Sequence, residues 1–334
     1  MKRLPLAICI MAVIALAVSG CGGGAGVPPA EEPPPMEEEA EPTPEPTPEP
    51  TETPAPTPTP EGGGAGRIAF IYGPGPMGPF NLYIMDIDGS NPEPITSDFF
   101  MVFHPSFSPD GSRIAFWTTE GGEEYVYVVD VDGSNLTQVT DFSSAVPDWS
   151  PDGSRLIFNS DSQNEPQNVP DLYMMALDGS DLTELFDAPE TADFDGRWSP
   201  DGERILFTSD RTGNYDLFVV NVDGSNLVQL TDDPANDISG RWSPDGSRIA
   251  FVSYRDAEGD PEIFVMDADG SNLVQLTNND TPDYEQDWSP DGSRIVFTAF
   301  RNGQFDIFMM NDDGSNEVQI TDDVEEQHNP IWQP

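Results

Sequence analysis

Between residues 67 and 334 the apolar residues come in short blocks, of which 248–252 (Arg-Ile-Ala-Phe-Val) and 263–266 (Ile-Phe-Val-Met) are typical. The blocks are apolar at consecutive positions and show no helical period, so they predict strands covered on both faces of a sheet. Asp-Gly pairs separate them and supply the left-handed backbone that tight β-hairpins need.

The blocks belong to a repeat. Asp-Gly-Ser recurs with its Gly at 89, 133, 179, 224, 270 and 314, at intervals of 44, 46, 45, 46 and 44 residues. Ser-Pro-Asp-Gly recurs at 108–111, 150–153, 199–202, 243–246 and 289–292, preceded by Phe107, Trp149, Trp198, Trp242 and Trp288. The aromatic of the sixth unit is Trp332, near the C-terminus, whereas the first unit begins midway at Arg67-Ile-Ala-Phe. One circular repeat has been cut, and Trp332 marks the strand that closes the ring. Each unit reads as a Trp strand, a hairpin turn, an Arg-Ile-Ala-Phe-like strand, a variable loop, a third strand, a second Asp-Gly turn and a last strand. The predicted fold is therefore all-β: a six-bladed β-propeller of four-stranded antiparallel blades over 67–334. An open solenoid would need polar caps, and neither end of the repeat shows one.

Two segments repeated in phase, Trp-Ser-Pro-Asp-Gly-Ser-Arg-Ile-Ala-Phe at 242–251 and Val-Met-Asp-Ala-Asp-Gly-Ser-Asn-Leu-Val-Gln-Leu-Thr at 265–277, resemble the repeat of the TolB-type propeller family. The resemblance implies a binding propeller of the cell envelope. TolB-type proteins of the Tol–Pal system carry an N-terminal α/β domain that meets other partners, and here residues 1–66 take its place. The repeat is also similar to the propellers that gate prolyl-oligopeptidase-type peptidases, but no hydrolase pattern accompanies it.

Residues 1–20 read as a signal peptide. Lys2 and Arg3 precede an uncharged run over 4–18, too short to span a bilayer, and Val18-Ser19-Gly20-Cys21 resembles the bacterial lipobox. That resemblance implies a mature chain beginning at Cys21 and held to a membrane by its diacylglycerol. Cys9 leaves with the signal, so no intramolecular disulfide is available. Residues 21–66 are rich in Pro, Glu and Thr and cannot bury enough apolar surface to order themselves, which predicts a disordered, extended spacer. The expected location is exported and lipid-anchored in the cell envelope, facing the periplasm or the cell surface, as a monomer.

Charge narrows the function. The chain has 61 acidic and 13 basic residues, a formal net charge of −48; residues 67–334 hold 51 acids, 11 Arg and no Lys. Nucleic acid has no clustered cations to act on and is excluded as a partner; a cationic partner, divalent ions or high salt would suit such acidity. The arginines fall at repeat positions: 67, 113, 155, 204, 248 and 294 open the second strand, 211, 255 and 301 follow it, and 197 and 241 precede Trp. They read as structural partners of the turn carboxylates. His104 and His328 are the only imidazoles, and no Gly-x-Ser-x-Gly turn appears, which points to a non-enzyme without a cofactor. Asp-x-Asp-Gly invites calcium, but the pattern lacks the distal Glu of a calcium loop, so the Asp residues read as turn caps and no metal site is assigned.

The expected function is a non-catalytic scaffold for a protein or peptide partner; the alternative is a carbohydrate-binding or polysaccharide-degrading module using channel carboxylates. Contact residues should lie where one repeat departs from the others. Phe99, Phe100 and Met101 have no counterparts and, with His104 beside them, form the candidate partner site. Phe103 matches an apolar position of the other units and reads as packing. One position later, His104, Val146, Asp195, Ser239, Glu285 and Asn329 form a column that would place polar groups, Asp195, Ser239, Glu285 and Asn329 among them, around the channel.

Overall fold

The computed structural model describes residues 66–75, 78–97, 99, 101–161, 169–186, 188, 190–255 and 259–334. The expected signal peptide, Cys21 and the spacer lie outside them. Six four-stranded antiparallel sheets follow one another as blades. Blade 1 is built from Glu326–Trp332, Arg67–Gly73, Asn81–Asp86 and Glu93–Pro94, in that spatial order. The next five blades begin with Val102–Phe107, Ala145–Trp149, Asp193–Trp198, Asp237–Trp242 and Asp283–Trp288. These five and Glu326–Trp332 are the innermost strands, each beside its two neighbours in a closed ring. The second strands carry the core: Ile114-Ala115-Phe116 and Ile249-Ala250-Phe251 are fully buried. Both faces of each sheet are covered by adjacent blades, which is why the sequence shows consecutive apolar residues rather than alternation.

Closure follows the cut repeat. Glu326–Trp332 pairs antiparallel with Arg67–Gly73, with Ile68 opposite Trp332 and Tyr72 opposite Gln327. The Gln333 amide N–H then donates to the Arg67 carbonyl at 2.9 Å. Arg67 Nε donates to Gln333 Oε1 at 3.2 Å, while Gln333 Nε2 reaches the Gly111 carbonyl of blade 2 at 2.8 Å.

Because strands alternate in direction, all the Asp-Gly turns share one face of the propeller and the variable loops share the other. On the turn face each Asp caps its own hairpin. Asp88 Oδ1 accepts the Ser90 amide at 3.0 Å and its hydroxyl at 2.5 Å. Asp110 Oδ1 likewise accepts Ser108 Oγ at 2.6 Å and the Ser112 amide at 3.0 Å. These bonds favour the ionised form, and hydrogen bonds from Ser108 and Ser112 lower Asp110 to about 2. Gly133, at φ 81°, lies so close to blade 1 that a Cβ would stand 2.8 Å from the Ile95 carbonyl oxygen, so the turn demands glycine twice over.

The arginines correct the sequence reading. Arg113, Arg204 and Arg248 lie over the rings of Trp149, Trp242 and Trp288 at 4.7, 4.7 and 4.8 Å, joining each blade to the next by cation–π contact. Arg155 and Arg248 do meet turn carboxylates, Asp181 and Asp312, at 3.8 and 2.9 Å. Arg211, Arg255 and Arg301 instead pair with the buried inner-strand residues Asp193, Asp237 and Asp283 at 2.8, 2.6 and 2.8 Å. The reason is reach: these arginines stand on the loop face, at the far end of the blade from the turns.

Trp332 is 6% exposed and packs into the cluster between blades 6 and 1. Trp332→Ala is expected to cost about 3–5 kcal/mol in denaturant unfolding; a loss within about 0.5 kcal/mol, as at the surface, would contradict closure by this strand.

Candidate functional site in the central channel

The six inner strands share an irregularity that the sequence column conceals. His104, Val146, Asp195, Ser239, Glu285 and Asn329 all have left-handed backbone, with φ between 43° and 58°. Pairing with the second strand shifts register at this point in every blade, as between Phe103 and Ser106 or Phe194 and Arg197. Such a bulge bends the strand and re-aims the side chain. For a non-glycine residue the conformation costs about 1–2 kcal/mol, and for the β-branched Val146 it is the most strained. One backbone shape, repeated around the axis, presents six different side chains.

These side chains meet each other across blades. The Asn329 amide donates to Glu285 Oε2 at 2.7 Å, and the His104 amide to Asn329 Oδ1 at 3.4 Å. Thr298 Oγ1 also donates to Glu285 Oε2, at 2.8 Å. His328 lies between Glu326 and Glu285, with Nε2 3.3 Å from the first and Nδ1 3.8 Å from the second.

The residues two positions further along, immediately before the strand-ending aromatic, complete the lining and were not singled out from sequence as site residues. They are Ser106, Asp148, Arg197, Arg241, Asp287 and Ile331. Arg197, 4% exposed, holds Asp195 Oδ1 at 2.5 Å and stands 3.6 Å from Asp148. Arg241 reaches the same Asp195 oxygen at 3.3 Å. Asp148 accepts Ser106 Oγ at 2.9 Å and the Trp198 amide at 3.0 Å; Asp287 accepts the Trp332 amide at 2.8 Å. Each of these carboxylates thus staples its own blade to a neighbour. The detectable signal was the two arginines placed directly before Trp, a position that cannot reach the turns.

Burial opposes ionisation of Asp195, yet Arg197 and Arg241, with His104 across the channel, hold its carboxyl well below the usual carboxylate range. Burial pushes Asp287 up to about 6, against the Trp332 amide and Arg241. His104, stacked on Trp117 with ring centroids 6.3 Å apart, is lowered to about 4 by burial, against the pull of Asp195 and Glu285.

Phe99 and Met101 lie on the loop face, in the connection that leads into Val102–Phe107. Both are half-buried against the core between blades 1 and 2: Phe99 stands edge-on to Phe116 and Tyr127 at 5.4 and 5.2 Å, and Met101 bridges to Phe80. Phe99 is not the exception expected from the sequence: Phe142 and Phe186 pack on Phe158 and Phe207 as it does on Phe116. Phe100 lies outside the described residues. Phe103 stacks on Trp117 at 4.6 Å, which is packing. Among the described residues no group of three or more His, Cys, Asp or Glu is arranged to hold a metal ion.

With this geometry in place, residues 61–231 and 197–334 match the family described as the TolB beta propeller domain. The chain belongs to the TolB beta propeller family. The Tol-Pal system protein TolB of Bordetella pertussis is 30% identical over 162 residues, covering 34% of this chain and 36% of that protein. An uncharacterized protein of Agrobacterium fabrum is 33% identical over 116 residues, covering 32% of this chain and 39% of that one. The matches therefore span little more than a third of these relatives. The crystal structure of TolB from Acinetobacter baumannii superposes with a TM-score of 0.70 at 24% identity, over 80% of this chain and 67% of that chain, which shows a shared fold.

In this TolB-family ring the strain is testable. The Ser239 hydroxyl makes no hydrogen bond among the described residues, and φ is 58°. Ser239→Gly should therefore stabilise the fold by about 0.5–1 kcal/mol, the relief of left-handed strain less the added freedom of Gly in the unfolded chain. A loss of stability would contradict the strain.

A second expectation concerns His104. Its folded pKa of about 4 lies below the unfolded value of about 6.5, so the unfolded chain takes up the proton first. The associated stability is complete above about pH 6.5 and is lost as pH falls toward about 4. The wild-type melting midpoint should fall more steeply through this window than that of His104→Gln; parallel curves would contradict the assignment.

Proposed function

We propose that this chain is a non-catalytic binding scaffold of the cell envelope, exported and tethered through Cys21, which holds a protein or peptide partner at the loop-face mouth of its channel. One observation carries the reading: the strained ring at His104, Val146, Asp195, Ser239, Glu285 and Asn329 keeps its backbone constant while varying its side chains. Strain of this kind persists where the surrounding fold enforces it and concentrates at ligand sites. The aromatic and Met pair at Phe99 and Met101, to which the sequence adds Phe100, supplies the apolar anchoring that interface centres favour. Membership of the TolB family supports an envelope partner, since relatives bear the name of the Tol-Pal system.

The test is photo-crosslinking in intact cells, with the reactive residue at Ser239 on the channel or at Leu182 beside the turn of residues 178–180, where the side chain is 49% exposed. Capture of one envelope protein from Ser239, at least tenfold above that from Leu182, is expected. Equal capture from both positions would overturn the reading.

A further inference from the structure

The donors and acceptors of the channel do not balance. Asp148, Glu285 and Asp287 each engage an oxygen in a bond that ties two blades together, and Asp195 does so through Arg241. Arg197 is similarly committed, its two terminal nitrogens placed against Asp195 and against the Pro147 carbonyl. Arg241 differs. One nitrogen, Nη1, makes both of its bonds, to Asp195 Oδ1 and to the Gly240 carbonyl, each at a long 3.3 Å. Its Nε and Nη2 donate to nothing among the described residues, yet neither is sealed from solvent, unlike Arg197 Nε, which is buried without a partner. The side chain is 18% exposed.

The free Nε–Nη2 edge is the fork that matches a carboxylate through two parallel N–H···O bonds. Ser239, two residues earlier on the same strand, adds an uncommitted hydroxyl. We propose that Arg241 is the anchor for a carboxylate carried by the bound protein or peptide segment, taken through this edge with Ser239 beside it. The inference rests on the channel reading above and adds the chemistry of what enters. It holds against the net charge of the chain because repulsion from the outer surface is screened within about 8–10 Å. It holds against the nearer Asp148, Asp195 and Asp287, which act on the same guanidinium, because the two parallel bonds of the fork act at contact distance and Arg197 offsets part of that charge.

The probes are the capped tripeptides Gly-Glu-Gly, Gly-Gln-Gly and Gly-Lys-Gly and inorganic phosphate, added to the 15N-labelled full chain at about 0.15 M salt; the readout is the Arg241 Nε–Hε signal. Gly-Glu-Gly should shift that signal saturably, with little response to the other three. Arg241→Gln should weaken Gly-Glu-Gly binding at least tenfold, and Arg241→Lys should restore only part of it, since an ammonium cannot form the fork. Tighter binding of the Lys peptide, an equal response to the Gln peptide or to phosphate, or unchanged affinity in Arg241→Gln would each overturn the proposal. Should Arg241→Gln fold poorly, the wild-type signal and the Lys variant decide alone. If Arg241→Gln still captures the Ser239-crosslinked partner in full yield, the carboxylate assignment falls while the channel reading stands. If the wild type captures no partner, the channel reading is what fails, and the tripeptide response alone decides the Arg241 assignment.

Discussion

Everything in this propeller depends on the pairing of Glu326–Trp332 with Arg67–Gly73. A propeller has no single core; its apolar surface is divided among the interfaces between successive blades, and each interface exists only while both blades are in place. The cluster of Ile68, Phe70, Met85, Val296, Ile307, Met309 and Trp332 belongs to blades 6 and 1 together. Were the last strand unpaired, that cluster would open to water and the two blades flanking the gap would each lose a covered face. The chain's two cysteines stand at 9 and 21, before the first blade, so hydrogen bonds and packing alone hold the ring.

Closure also explains how the two faces divide their work. On the turn face, every hairpin is fixed by an Asp that accepts its own Ser, and the turns sit against neighbouring blades where only glycine fits, as at Gly133. At Gly89, Gly133, Gly224, Gly270 and Gly314, where an added Cβ would meet a neighbouring backbone carbonyl, that face cannot vary without loosening the ring. The loop face has no such requirement, and there the connections differ from blade to blade, from the Gly121-Gly122 hairpin to the longer 210–215 segment. The inner strands lie between these regimes, with an invariant bulge from the fold and free choice of side chain at its tip.

The fold was legible because its determinants are local and periodic: the spacing of the Asp-Gly turns gave the blades, and the displaced Trp332 gave the closure. The channel was half legible. Counting back from Trp located the column from His104 to Asn329, but nothing about Val146 announces a left-handed residue, since the bulge is imposed by the ring and not by propensity. The fate of Phe99 was hidden for a related reason: in the sequence it looked unmatched, whereas Phe142 and Phe186 pack on Phe158 and Phe207 as Phe99 packs on Phe116, contacts that appear only once the strands are paired. The spacing between Asp193 and Arg211, repeated at Asp237 and Arg255 and at Asp283 and Arg301, was visible in the sequence as a pair of positions; only antiparallel pairing makes it a contact.

The distribution of charge around the ring then gives the mouth a direction. Blades 1 to 3 carry Arg67, Arg113 and Arg155 alone, whereas Arg197, Arg204, Arg211, Arg241, Arg248, Arg255, Arg294 and Arg301 fall on blades 4 to 6. On the first side blade 2 offers an apolar and aromatic wall, with Phe99, Met101 and Phe103 seated around Trp117 and Phe116, beside His328 and Glu326 of blade 1. On the other, Asp195 is shared between two guanidiniums. Buried ion pairs of this kind add little net stability over apolar residues of the same size, because desolvation consumes most of the attraction. What they do supply is orientation: on the proposed reading, a segment entering between an apolar wall and an ionic one would be held in one rotational setting, with its polar group toward blades 4 and 5.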